Sequence, residues 1–419
     1  MNRWYASPFT GLFTGFGPLP LRAHDPNLSV YAGSLPPWGP RRQELAVGGA
    51  AWSDDEAESA CVGEAIERLE AYPLPTDEPV QASYGSWPLT EPAVDPADWV
   101  LFHAEQYREP GFPFQPFTRD TPCRWVACRD AQTGQACWVP EDFIYIFPST
   151  AEKHTICPGI STGLSAGRLG SPVLLRGLQE VIERDAVVGA WWGRYPLIEW
   201  DHADVLGLLG PAIAERIERP GLRYRFYRAS SPFSSHVVLV TLEGQDREGY
   251  CFSIGSACRE SGQAAWLKAI AEAIHGRHYV RYQLRSGRGT GPMEKPARFA
   301  KGVERPATFA EHALYYSLHP EDLVRTVLHH ASRADVEDVN VVEDFSVLVK
   351  RLGPDRQVLF RNMSPPGIVA EMSEWYVLRV IVPGLQPLHG NHALAHLGGS
   401  LWSGRILADW GAMPPHPFP

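Results

Sequence analysis

The feature that most constrains this chain is a repeated polar face. Residues 59–72 read SACVGEAIERLEAY, and residues 176–189 read RGLQEVIERDAVVG. In both, two glutamates three apart are followed at once by an arginine: Glu64, Glu67 and Arg68 in the first, Glu180, Glu183 and Arg184 in the second. Residues three and four apart share one side of an α-helix. Each stretch is therefore predicted to carry a carboxylate–guanidinium face. A third helix, predicted from about Ser261 to Leu284, contains AAWLKAIAEAIHGR and echoes the pattern with Lys268, Glu272 and Arg277. Ala and Gly crowd the positions before the first glutamate of each helix. Side chains that small let another backbone, or a ligand, approach closely. One such face is an ordinary solvated surface laced by ion pairs. Its repetition predicts helices that pack together and pool their carboxylates.

A carboxylate pool needs cations. Mg2+ is hard, takes oxygen ligands and often bridges to phosphates. Arg184 and Lys268 would then neutralise phosphate oxygens. The expected site is a nucleotide site without a phosphate loop, since no GxxxxGK[ST] occurs,. A net charge of −10 argues against a general nucleic-acid surface or an anionic-membrane surface,. No apolar run of about 18 residues is present to span a bilayer. The opening MNRWYASPFTGLFTGFGPLPL places Pro and Gly where a secretory signal needs an unbroken apolar stretch,. The protein is therefore expected to be cytoplasmic, with neither nucleic acid nor membrane as partner.

The first helix is predicted over about Asp54–Tyr72 with Ser53 as N-cap, and the second over about 172–193. Strands are predicted around 99–103, 123–128, 136–139, 222–228, 236–242 and 249–255. Residues 1–46 show no periodicity and are expected to be irregular. Residues 73–99 and SGRGTGPMEKP read as loops. No linker divides the chain, so 1–419 is read as one α/β (α+β) domain. The seven cysteines are an odd number. Cys123, Cys128 and Cys137 fall on two strands around a turn at Gly134, with no zinc spacing, and read as buried thiols. His392 and His396 have the spacing of a metal-ligand pair, but no third ligand is visible nearby, so they read as ordinary helix histidines. Trp191 and Trp192 read as core.

The blocks AESACVGEAIERLEAY, STGLSAGRLGSPVLLRGLQEVIERDAVVGAWW and AAWLKAIAEAIHGR resemble the YcaO family, in its order. Weaker likenesses run through WVPEDF, FAEHALYYSLHPEDL and VLRVIVPGLQP. The resemblance implies a YcaO-type fold, with repeated helix–strand units around a central nucleotide site. It implies ATP with Mg2+ held by glutamates. Glu64 and Glu67 match the first glutamate pair, Glu180, Glu183 and Arg184 the second block, and Glu272 the glutamate of the third helix. Lys268 stands where the family usually has Arg. Ser165 matches a nucleotide-contacting serine. Implied metal ligands are Glu64, Glu67, Glu180, Glu183 and Glu272. There are departures: Ala50 stands within a Gly-Lys-Gly position of the family, and Arg168 and Pro172 align with an Asn and an acidic residue.

The ending Pro415-His416-Pro417-Phe418-Pro419 is similar to the PxPxP ending of azoline-forming members. The resemblance implies a tail that enters the site and presents the Pro419 carboxylate as a catalytic group. The implied activity is phosphorylation of a backbone amide oxygen in a ribosomal precursor peptide. Cys, or Ser/Thr, thereby becomes thiazoline or oxazoline. Fused members carry an extra leader-binding part for which this chain is expected to be too short. A separate E1-like partner protein is therefore expected to bind the precursor leader. A thioamide-forming enzyme and a non-catalytic scaffold are the competing readings. The sequence leaves open which precursor is used, whether Cys or Ser/Thr is preferred, and whether the chain forms a homodimer.

Overall fold

In the computed structural model the described residues are 5, 7, 11–37, 43–74, 76–147, 155–286, 305–334, 341–364, 374–402, 410 and 413–419. They build three sheets. Strands β1 (Gly15–Pro18), β2 (Ser29–Leu35) and β3 (Leu45–Ala51) form the first, antiparallel throughout. Two of these strands lie within residues 1–46, which were expected to be irregular. Glycine-rich strands such as AVGGAA carry little side-chain alternation, so the pattern is silent there.

The second sheet has the order β4 (Val80–Ala82), β5 (Cys123–Asp130), β13 (Leu359–Asn362), β14 (Trp375–Ile381), β7 (Leu164–Arg168), with β6 (Ala136–Pro140) paired to β5. The β5–β6 hairpin sets Cys128 opposite Cys137. All seven cysteines are buried free thiols. The third sheet runs β11 (Gly249–Cys258), β10 (Val237–Asp246), β9 (Leu222–Ala229), β8 (Leu197–Trp200), β12 (Ser332–Arg333). Only the β8–β12 pair is parallel. No strand forms at 99–103. Those residues follow a short 3-10 turn at Pro96–Asp98. Their side chains instead fill an aromatic cluster in which Trp99 stacks on Phe143 at 3.6 Å.

Helices α1 (Asp54–Leu69), α2 (Val173–Trp191) and α5 (Gly262–Ser286) carry the three glutamate faces. Smaller helices α3 (His202–Leu209), α4 (Pro211–Ile217), α6 (Phe309–Leu318), α7 (Val327–His330) and α8 (Phe345–Leu352) complete the described set. Ser53 caps α1 by accepting from the Glu56 N–H, which satisfies one of the helix's open donors. Each large helix lies between two sheets. α1 packs on β2 and β3 of the first and on β7 and β14 of the second. α2 packs on β7 and β14 of the second sheet and on β11, β10 and β9 of the third. α5 packs on β10 and β11 of the third and on β3 of the first. The pairings close a ring, and each helix has its own apolar core.

Glycines set how tightly the ring closes. A Cβ on Gly49 of β3 would collide with the Ala57 carbonyl and the Cys61 N–H of α1. A Cβ on Gly255 of β11 would collide with the backbone of Ala269 and Ala273 in α5. The small residues before each glutamate thus meet a paired strand. Close backbone approach of this kind needs Gly. Among the described residues no helix is long and apolar enough to cross a membrane.

Candidate active site

The three helices turn their charged faces into one interacting group. On α1, Glu64 accepts from the Gly48 N–H at 2.9 Å and meets Arg68 at 3.4 Å. Glu67 pairs with Arg68. On α2, Arg184 lies 3.8 Å from both Glu180 and Glu183. On α5, Lys268 pairs with Glu272 at 3.1 Å. These pairs are not separate islands. Burial pushes Glu67 up to about 8, an effect opposed by Arg68 and reinforced by the charges of Glu180 and Glu64. Burial also raises Glu180, which feels Arg184, Glu183, Arg68 and Arg379. Burial pushes Glu272 up as well, but Lys268, Arg184 and Arg259 outweigh it and hold its carboxyl below the usual range. His275 of α5 sits over Gly48, and burial lowers its proton affinity against the charges of Glu64 and Glu272.

The group is deep yet open. Glu64, Glu180 and Glu272 keep 32%, 25% and 35% of their side-chain exposure, although burial is the leading influence on Glu180 and Glu272. A cleft with low-dielectric walls produces that combination. Its donor set is all carboxylate oxygen, and the charge of Glu180 on α2 raises the proton affinity of Glu67 on α1. An oxygen-seeking divalent cation would relieve that repulsion. The residues present therefore fit Mg2+, and Arg184 and Lys268 beside them fit the phosphates of a nucleotide.

The predicted residues differ in how they are engaged. Glu183 is only 5% exposed. One of its oxygens accepts from the Ser256 hydroxyl at 2.6 Å, and the other accepts from the Cys258 N–H at 3.1 Å. It ties α2 to β11, and each of its oxygens keeps a further lone pair that a metal ion could take. Ser165 lies half-buried on β7 opposite Leu378, on the strand shared by α1 and α2. Arg168 stacks over Trp375, its Cζ 5.4 Å from the ring centre. Pro172 precedes α2 without a side-chain cap. Ala50 pairs with Val30 in the first sheet. The loop SGRGTGPMEKP lies outside the described residues apart from its first serine.

Sequence reasoning missed Arg379. It sits on β14, 3% exposed, and donates to the carbonyls of Phe143 (2.9 and 3.1 Å) and Ile160 (2.8 Å). Its charge acts on Glu180 and Glu67, and burial lowers it to about 10, so it stays cationic at neutral pH. The signal was available: a lone arginine in WYVLRVI, a strand otherwise apolar.

The proline-rich end is seated in the protein. His416 and Phe418 are 0% and 1% exposed. The Trp191 indole donates to the Pro414 carbonyl at 3.1 Å, and the Tyr316 hydroxyl donates to the Pro415 carbonyl at 2.6 Å. The Arg184 charge reaches the His416 ring, so the tail lies within electrostatic range of the carboxylate group. Pro419 itself is exposed.

A family model described as YcaO cyclodehydratase, ATP- and Mg2+-binding, matches residues 48–386. Solved structures share the fold. One is a heterocyclase in complex with substrate and cofactor, at 15% identity and a TM-score of 0.69, covering 98% of this chain and 55% of that one. The chain thus spans about half the length of that relative. A second is the YcaO protein of Methanopyrus kandleri bound with AMPPCP and Mg2+, at 17% identity and a TM-score of 0.56, covering 89% of this chain and 86% of that one. A third is in the E. coli microcin synthetase McbBCD complex, at 13% identity and a TM-score of 0.64, covering 96% of each chain. No curated protein sequence matches the chain.

Proposed function

The chain belongs to the YcaO family, and from that premise we propose that it is an ATP-dependent cyclodehydratase acting on a ribosomal precursor peptide. The observation that carries the proposal is the convergence of carboxylates from α1, α2 and α5 beside Arg184 and Lys268. Glu64, Glu67, Glu180, Glu183 and Glu272 would hold Mg2+, with Glu183 also bracing α2 against β11. Arg184, Lys268 and Ser165 would contact the nucleotide. Bound ATP supplies the phosphoryl group that lets an amide oxygen depart as phosphate.

The chain's own residues then have three tasks. The first is positioning: α1, α2 and α5 hold their carboxylates on rigid elements, so little reorganisation remains at the reacting centre. The second is charge balance, to which buried Arg379 adds a fixed cation beneath Glu67 and Glu180. The third is proton removal. A thiol or hydroxyl attacking the preceding carbonyl carbon must lose its proton, and the amide nitrogen must lose one to form the ring. The Pro419 carboxylate, at the exposed end of the seated tail, would accept a proton,. A partner protein, E1-like in fold, would deliver the precursor by its leader. The McbBCD match supports this because that protein is part of a complex by name.

The deciding experiment combines the purified chain, a precursor peptide and a leader-binding partner protein. The expected result is ADP release together with loss of one water per ring by mass spectrometry. Exchange of oxygen for sulfur would transfer the site to thioamide formation. No ADP release from folded protein with its partner present would make it a scaffold.

A further inference from the structure

A second constellation lies at the other end of α2. His312 on α6, His389 in the segment after β14, and His416 in the tail are 0%, 1% and 0% exposed. One ring nitrogen from each lies within 4.8 Å of the others. The hydrogen bonds fix which nitrogen faces inward. His312 Nδ1 is 2.6 Å from the His416 carbonyl, and His416 Nε2 is 2.7 Å from the His389 carbonyl. A carbonyl only accepts, so those two nitrogens carry hydrogens. His312 Nε2 and His416 Nδ1 are therefore left as bare lone pairs. Neither atom has a hydrogen-bond partner among the described residues, and neither does either nitrogen of His389.

That arrangement is costly as it stands. A buried polar atom without a partner forfeits its hydration with nothing in return, and here several converge. It is also the arrangement of imidazoles that ligate metal. Such rings offer one nitrogen to the ion and donate the other N–H to a backbone carbonyl. From this geometry we infer that His312, His389 and His416 bind a divalent transition-metal ion, Zn2+ by ligand chemistry, which clamps the tail to the domain. All-imidazole donors suit Zn2+ and its neighbours rather than Mg2+. His392 is the nearest further donor, its ring centre 6.3 Å from His312 and 6.2 Å from His389. Both of its nitrogens also lack partners among the described residues. Trp192 stacks on His389 at 5.2 Å and Trp410 on His392 at 4.6 Å, walling the group from water. Bond lengths of about 2.0–2.1 Å place tetrahedral nitrogens about 3.4 Å apart, so binding would draw the rings together by about an ångström.

His396, half of the pair the sequence singled out, stands apart. Its ring stacks on Phe102 at 4.8 Å. The ring neighbours of His392 are His312 of α6, His389 and Trp410.

The test uses the full chain, purified without a polyhistidine tag, stripped with chelator and titrated with Co2+ and then Zn2+. We expect one equivalent of Co2+ with the intense visible bands of low-coordinate cobalt, displaced by Zn2+. Stripping should lower Tm, and Zn2+ should restore it. His416→Asn and His389→Gln should lose the bands and the Zn2+-dependent rise in Tm. His329→Gln, an exposed imidazole elsewhere, should keep both. Absence of stoichiometric Co2+ binding by folded wild-type protein would overturn the inference. So would equal binding by wild type and the His416→Asn His389→Gln double variant, which also covers the case of one substitution failing to fold. None of these readings needs turnover, so the metal clamp can fail while the proposed cyclodehydratase activity stands, and the reverse.

Discussion

The middle and the C-terminal end of α2 face two different chemistries. Around its middle, Glu180 and Arg184 open onto a cleft of carboxylates and cations. Toward its C-terminal half, Trp191 and Trp192 pack on the tail and on neutral imidazoles shut away from water. The first region is polar, partly exposed and dense in charge of both signs. The second is buried and rich in unsatisfied nitrogen. The difference follows from solvent access. A cleft that must admit a substrate can keep carboxylates charged, because water or a cation can reach them. A closed pocket can hold only neutral rings, since burial of a charge is prohibitive without a partner. Burial accordingly lowers His312 to about 4 and His392 to about 3.

If the tail links the two regions, its loss should have the largest effect. Deleting Pro415–Pro419 should cut cyclodehydration by ~10²–10⁴, the usual range for a lost acid–base group, while ATP affinity changes far less. Residues appended after Pro419 should do nearly the same harm. A C-terminally extended protein that cyclises its precursor at the unextended rate would separate tail from chemistry.

The next largest effect should come from the cleft alone. Glu180→Gln and Glu64→Gln replace a charged oxygen ligand by a weak neutral one. We expect each to lower ATP turnover by about 100-fold, the scale set when metal sites lose a supporting group, with the fold and the Co2+ binding of the histidine group intact. Glu183→Gln should differ. It disturbs a strut between α2 and β11, so Tm should fall along with turnover. Equal Tm across the three variants would remove that distinction.

The smallest effect concerns a carboxyl outside both regions. Burial raises Glu70 to about 7, against the hydrogen bond it accepts from the Ser364 hydroxyl at 2.7 Å. The folded state thus holds a proton that the unfolded state has already released. Its contribution is fully present below the unfolded value of 4.5 and is lost as pH rises through about 7,. Stability should therefore drop by about 1–2 kcal/mol between pH 5 and 7 from this group. Glu70→Gln should flatten that slope in denaturant titrations, and an unchanged slope would assign the loss to other groups.

Much of the scaffold was legible because its signals are local. The α1 start, capped by Ser53, matched the prediction, and its observed end at Leu69 fell three residues short of Tyr72. α2 and α5 came within two residues at each end, since a 3.6-residue period survives any packing. The β9–β10–β11 meander was visible in short runs rich in aromatic and β-branched residues. The first sheet was not, because glycine strands carry no pattern. The apolar run at 99–103 misled, because an aromatic cluster and a strand draw on the same residues.

By itself the sequence determined which side chains share a helix face, and so that Glu64, Glu67, Glu180, Glu183, Arg184, Lys268 and Glu272 would move as sets. Helix geometry requires nothing beyond neighbours three and four apart. Only the tertiary structure decided which members of each set meet open cleft and which meet protein. It sent Glu183 to Ser256 and left Glu180 partly open to the cleft, two residues of one turn with different fates. It also brought His312 to His416 across 104 residues of chain. No periodicity encodes such a contact, because it depends on the path of everything between, and that path is set by how three sheets close around three helices.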